Sequence, residues 1–127
     1  MPRRVLPVLS LNEVFIGECV SARVSYLEIG MDGQKRVKQK CSGLIVSTGT
    51  GSTSWTYSVN KLTEQNMEDI LTIVKEETGF PLSDTDPRFI RKVTDKFNEM
   101  LIINPEEHRM VYTIRDLLPS SPLERDP

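Results

Sequence analysis

Apolar and polar positions change their period near Gly49. Upstream of it the pattern is that of strands. Val14 to Glu18 reads as a short strand entered through Asn12-Glu13. Arg23 to Ile29 alternates, with Val24 and Tyr26 on one side and Leu27 and Ile29 on the other. "GMDGQ" comes next, and both Asp32 and Gly33 tolerate a positive φ, so the pair predicts a two-residue hairpin turn. The returning strand, Arg36 to Cys41, is strongly basic and predicts a half-exposed face; the run "QKRVKQK" is a solvated surface or an attractor of phosphate. Leu44, Ile45 and Val46 form a continuous apolar run, the mark of a more buried strand.

Downstream the apolar spacing lengthens to about 3.6 residues. Thr50 to Asn60 opens a helix, with Ser and Thr available as caps. Thr63 to Lys75 carries Met67, Ile70, Leu71 and Val74 on one stripe, capped by Thr63 and ended by Gly79 and Pro81. Asp86-Pro87 starts another helix, with Asp as cap and Pro at the first helical position. Its stripe is Ile90, Val93, Phe97, Met100 and Leu101. Both stripes are expected to face a core. "INPEEHR" is a turn, and Met110 to Arg115 alternates as a further strand. The Pro/Ser-rich, charged end, 118–127, reads as a flexible tail. The fold class is therefore α+β: an antiparallel β-sheet layer with a hairpin, plus two or three helices.

Composition narrows the function. With 127 residues, 38% hydrophobic and 27% charged, the chain suffices for one modest globular domain. Sixteen basic against eighteen acidic residues leave no basic excess, which argues against nucleic-acid binding. Aromatics, at 6%, are too few for a stacking platform along a single strand. No apolar run reaches the length of a membrane span. The opening "MPRRVLPVLSLNEV" is too short and too interrupted by proline to read as a presequence. Cys19 and Cys41 lie far apart and read as reduced thiols; His108 has no ligand spacing, so no metal site is expected.

The stretch with chemical content is Gly43 to Ser58, "GLIVSTGTGSTSWTYS". A strand runs into a helix start through glycines and hydroxyls. Small residues let a ligand approach the backbone, hydroxyls donate and accept, and amides at a helix start favour negative groups. Such a segment suits a nucleotide or plain capping, and composition does not choose. Gly51-Ser52-Thr53 lacks the lysine of a phosphate-binding Walker loop, and Gly49-Thr50-Gly51 lacks the third glycine of a dinucleotide fingerprint.

"LNEVFIGE", a hairpin, and then "GLIVSTGTGSTSW" resemble, in this order, the carboxyl-terminal half of NAD kinases over roughly residues 8 to 60. That family carries Asn-Glu or Asn-Asp at the entry to its second domain and later Gly-Leu-Ile-Val-Ser-Thr-Pro-Thr-Gly-Ser-Thr-Ala-Tyr-Ser. Here Gly49 replaces the Pro, Trp55 the Tyr, and Ser42 the Asp that precedes Gly-Leu; Val59-Asn60-Lys61 stands where a Gly-Gly follows. With a helical insertion at about 61–103, this looks like the mitochondrial branch of animal NAD kinases.

The resemblance implies transfer of phosphate from ATP, with a divalent metal such as magnesium, to the 2′-hydroxyl of the adenosine ribose of NAD. Asn12 and Glu13 would hydrogen-bond the nucleoside end of NAD. Thr53, Ser54 and Trp55 would line the base pockets. Ser42, Ser47 and Ser58 are weaker candidates, Ser42 because it offers only a neutral hydrogen bond in place of Asp. The family's catalytic carboxylate lies in a Gly-Gly-Asp-Gly motif, and this sequence has none. Residues 1–117 are thus expected to be a partial second domain that binds substrate without the catalytic Asp. Mitochondrial localisation and assembly into a dimer are implied by resemblance alone. Two other readings compete: a non-catalytic oligomerisation domain of the same family, and a related lipid kinase, against which the Asn-Glu pair and the Thr-Gly-Ser-Thr run speak.

Overall fold

The computed structural model describes residues 2–20, 23–79 and 86–118. Five strands and three helices follow in the order β1 (Glu13–Ile16), β2 (Ser25–Ile29), β3 (Val37–Cys41), β4 (Gly43–Ser47), α1 (Trp55–Asn60), α2 (Glu64–Thr78), α3 (Pro87–Glu99) and β5 (Val111–Arg115). A 3₁₀ turn, Thr50–Thr53, precedes α1. The α+β class is as expected.

The strands form two antiparallel units. β2 and β3 are the expected hairpin, registered Ser25↔Cys41 to Ile29↔Val37. At its tip Asp32 and Gly33 have φ of 46° and 77°, and Gln34 N donates to Met31 O at 2.7 Å. That is the left-handed pair the Asp-Gly dipeptide is chosen for. The other unit has the order β1-β4-β5. β4, the apolar run, is its centre, and its Ile45 is fully buried between Phe15 and Thr113. β3 passes to β4 through a corner at Ser42-Gly43, where Gly43 has φ 152° and a Cβ would meet the Phe15 ring at 2.3 Å. β1 ends at Ile16, short of the expected Glu18, because its pairing ladder stops at this corner.

The helix caps are those anticipated from sequence. Thr63 Oγ1 accepts from Asn66 N, the Asn66 side chain reaches back to Thr63 N, and Gly79 closes α2 with φ 62°. Asp86 accepts from Arg88 N with Pro87 in the first turn of α3. Pro81 and the tail from residue 119 lie outside the described residues.

Two further expectations are corrected. The helix expected over Thr50–Asn60 is instead a 3₁₀ turn and a separate α1, broken at Ser54 (φ −104°, ψ −133°), whose hydroxyl caps neither. The helical stripes are only partly core. Met67 and Ile90 are buried, whereas Ile70, Val74, Phe97 and Met100 are exposed. α2 and α3 cover each other, tied by Asn98 to both Leu62 backbone groups and by Arg91 to Glu64, and a two-helix layer shields only one strip of each helix. Thr94, outside the expected stripe, takes a core place by donating to Ile90 O at 2.7 Å.

Candidate functional site

The β1-β4-β5 sheet has two distinct faces, because partners in register share a side. Glu13, Phe15, Ile45, Ser47, Thr113 and Arg115 lie on one; Val14, Ile16, Leu44, Val46, Tyr112 and Ile114 lie on the other. α1 sits on the first. Its Trp55 packs edge-on against Phe15 with centroids 5.4 Å apart, and its Asn60 donates to Thr113 Oγ1 at 2.9 Å. A cation, the Arg115 guanidinium, lies 5.5 Å from the Trp55 ring centre, within cation–π range.

Asn12 is fixed through its backbone. Its carbonyl accepts from Thr48 N at 3.0 Å, Thr48 Oγ1 at 3.2 Å and Ser47 Oγ at 3.3 Å. This clamp holds the adjoining Glu13 at the start of β1. Glu13 Oε2 is buried and has no hydrogen-bond partner. A buried carboxylate oxygen left without a donor is costly, and a ligand hydroxyl would satisfy it.

The glycines and most hydroxyls of "STGTGSTS" are occupied by the chain itself. A Cβ on Gly51 would stand 2.3 Å from Asn12 O, and one on Gly49 would stand 2.4 Å from Asn104 O. The space that sequence alone would offer to a ligand is filled by backbone. Buried Ser52 donates to Gly49 O at 2.6 Å and accepts from Ile103 N at 2.9 Å. Buried Ser47 points into the Asn12 clamp. Thr53 is exposed and donates to Thr50 O, and Ser58 turns back to Ser54 O at 3.4 Å, its own helix. Ser54 lies between the 3₁₀ turn and α1, and Ser42 N donates to Arg115 O at the sheet corner.

Thus Glu13 and Trp55 share one face of the sheet, with Asn12 as the anchor of the first. Ser47 and Ser52 are structural pins. Phe15, Thr56 and Arg115 were missed by sequence reasoning. Thr56 Oγ1 is buried without a partner, and the other two acquire meaning only through strand register. A cavity of about 790 Å³ lies mainly against the opposite face, lined by Leu44, Val46, Thr48, Tyr112 and the hairpin tip. None of the candidate residues lines it, and two of the three buried polar atoms without a partner among the described residues, Glu13 Oε2 and Thr56 Oγ1, belong to the β1–α1 side, the third being Ser25 Oγ on β2. Among the described residues no group of three or more His, Cys, Asp or Glu is placed to hold a metal ion, and no helix is long and apolar enough to cross a membrane. Cys19 and Cys41 are both free thiols.

The family model described as ATP-NAD kinase C-terminal domain matches residues 11–78, from the Asn12 clamp to the end of α2. The chain belongs to the NAD kinase family. Among its relatives, "NAD kinase 2, mitochondrial" of Homo sapiens is 43% identical over 113 residues, covering 89% of this chain and 25% of the relative. The Rattus norvegicus protein of the same name is 42% identical with 89% and 26% covered. A bacterial "NAD kinase" of Thiobacillus denitrificans is 38% identical over 55 residues, 43% of this chain and 19% of its own. The chain spans about a quarter of the length of the mammalian NAD kinases it matches.

Proposed function

We propose that this chain is the substrate-binding portion of a mitochondrial NAD kinase. It would hold NAD while ATP phosphorylates the 2′-hydroxyl of the adenosine ribose to give NADP. The observation that carries the reading is Glu13 Oε2, buried without a partner on the face that also presents Trp55. A ribose hydroxyl can donate to that carboxylate, and the 37%-exposed indole leaves area for a base to stack. Asn12 contributes its side-chain amide from a backbone that is already clamped. Thr53 and Ser54 border the same turn, and Ser42 and Ser58 are given lesser parts.

Phosphoryl transfer asks mainly for positioning and charge neutralisation. ATP would bring a divalent metal, magnesium, on its own phosphates, and the described residues of this chain form no metal cluster that we assign to it. The sequence carries no Gly-Gly-Asp-Gly, so no catalytic residue is assigned here and the chain by itself is expected to bind without turnover.

Titrating NAD into the chain by calorimetry tests this. Saturable binding is expected, weakened about 10- to 100-fold in Glu13→Gln, which keeps the shape but loses a charged acceptor. Equal affinity in the two proteins would remove Glu13 from the site.

A second reading, assembly into a dimer, is favoured by the open apolar face. Val14, Ile16 and Tyr112 are each more than 40% exposed on one side of the sheet. Sedimentation equilibrium is expected to show a dimer; a monomer at all concentrations would end that reading.

A further inference from the structure

Arg115 is a half-buried cation whose charge is not neutralised. Its guanidinium lies over Trp55, and among the described residues it forms no ion pair and donates no side-chain hydrogen bond. An arginine carries five N–H donors in a rigid fork suited to carboxylate and phosphate. Its neighbour at the sheet corner, Ser42, is neutral. A cation–π contact at 5.5 Å engages none of its N–H groups in a hydrogen bond, so the donors stay available for a bidentate acceptor.

The same sheet face carries the opposite chemistry at its far end. Glu13 begins β1 opposite Ser47 and Val111, whereas Arg115 ends β5 opposite Gly43. Four residues along the strands, at about 3.3 Å each, and two interstrand spacings of about 4.8 Å across separate their backbones by roughly 16 Å, with the Phe15–Trp55 pair on the same face. The face thus offers a carboxylate, an aromatic ring and a cation. In a nucleotide the base, the hydroxyls and the phosphates branch from one ribose, so a single molecule can turn hydroxyls to Glu13, a base to Trp55 and phosphate to Arg115.

We propose that Arg115 is a phosphate-binding residue that takes the diphosphate of a nucleotide, held in place by the face of Trp55. This rests on the assignment of the Glu13–Trp55 face as the nucleotide site. Both substrates of that reaction, NAD and ATP, carry linked phosphates, and titration with each separates them.

The experiment compares wild type, Arg115→Gln and Arg115→Lys by calorimetry with NAD, ATP and adenosine. Arg115→Gln is expected to weaken NAD about 10- to 100-fold while adenosine changes less than about two-fold; Arg115→Lys, which keeps the charge and loses the fork, falls between. The same loss for ATP with NAD unchanged would place the diphosphate on the donor and still support the phosphate role. Equal losses for adenosine and both nucleotides would overturn it, leaving Arg115 as packing for Trp55. Unchanged affinity throughout would overturn it as well. Wild type that binds none of the three would defeat the underlying site assignment, and the proposal with it. If Arg115→Gln does not fold, Arg115→Lys decides. A weaker NAD or ATP affinity with adenosine unchanged supports the phosphate contact, and wild-type affinity for both nucleotides overturns it.

Discussion

Gly51→Ala is expected to lower the stability of the chain by about 3 kcal/mol, and NAD binding with it. The added methyl group would stand 2.3 Å from Asn12 O and 2.4 Å from Ser47 Oγ. Neither neighbour can yield freely. Asn12 O already accepts three hydrogen bonds, and Ser47 is buried within that cluster. Relief would push the Asn12-Glu13 segment away from β4, disturbing the first rung of the ladder, Glu13↔Ser47. A urea titration followed by circular dichroism checks this through the midpoint at unchanged slope. A shift equivalent to less than about 1 kcal/mol would show that the contact is soft. The alanine at Gly33, where a Cβ meets nothing within 4 Å, serves as the control for backbone strain alone.

Ile45→Ala is expected to cost about 3 kcal/mol, within the span of 2–5 found for such truncations. Ile45 is completely buried at the middle of the central strand. It has Phe15 beside it on β1 and Thr113 on β5, and α1 closes over that face through Trp55 and Asn60. Among the described residues few other side chains are buried so fully, so the loss falls on the part of the core that joins sheet to helix. Ile45→Val should cost about 1 kcal/mol. Similar midpoints for the two variants would mean that the site collapses around the cavity and that the core is less tightly packed than its burial suggests.

What the sequence made legible was local. Asp32-Gly33, the Thr63 and Asp86 caps and the Gly79 stop each depend on a few adjacent residues, and each stands where the pattern put it. The apolar run at Leu44–Val46 identified the central strand for a similar reason. The sheet order was not legible, since β4 pairs with β5 across the whole helical segment. Nor were the exposed helix stripes, because amphipathic spacing tells which face is apolar and not how much of it a neighbour covers. The glycines showed the same limit. Gly49 and Gly51 signalled close approach correctly, but what approaches is the chain's own backbone at Asn104 and Asn12. Arg115 carried no local signal, as its place beside Trp55 follows from strand register.

The pairing of β4 with β5 also sets an order of events for folding. The two strands lie roughly sixty residues apart, and closing so long a loop is slow and entropically costly before its contacts form. The Ser52–Ile103 hydrogen bonds and the Asn98–Leu62 pair gather the intervening helices at their base. Once these short-circuits exist, β5 has only a brief search left to find its edge of β4. The helical hairpin should therefore form early and the third strand dock late. Destabilising β5 would then speed unfolding more than it slows folding.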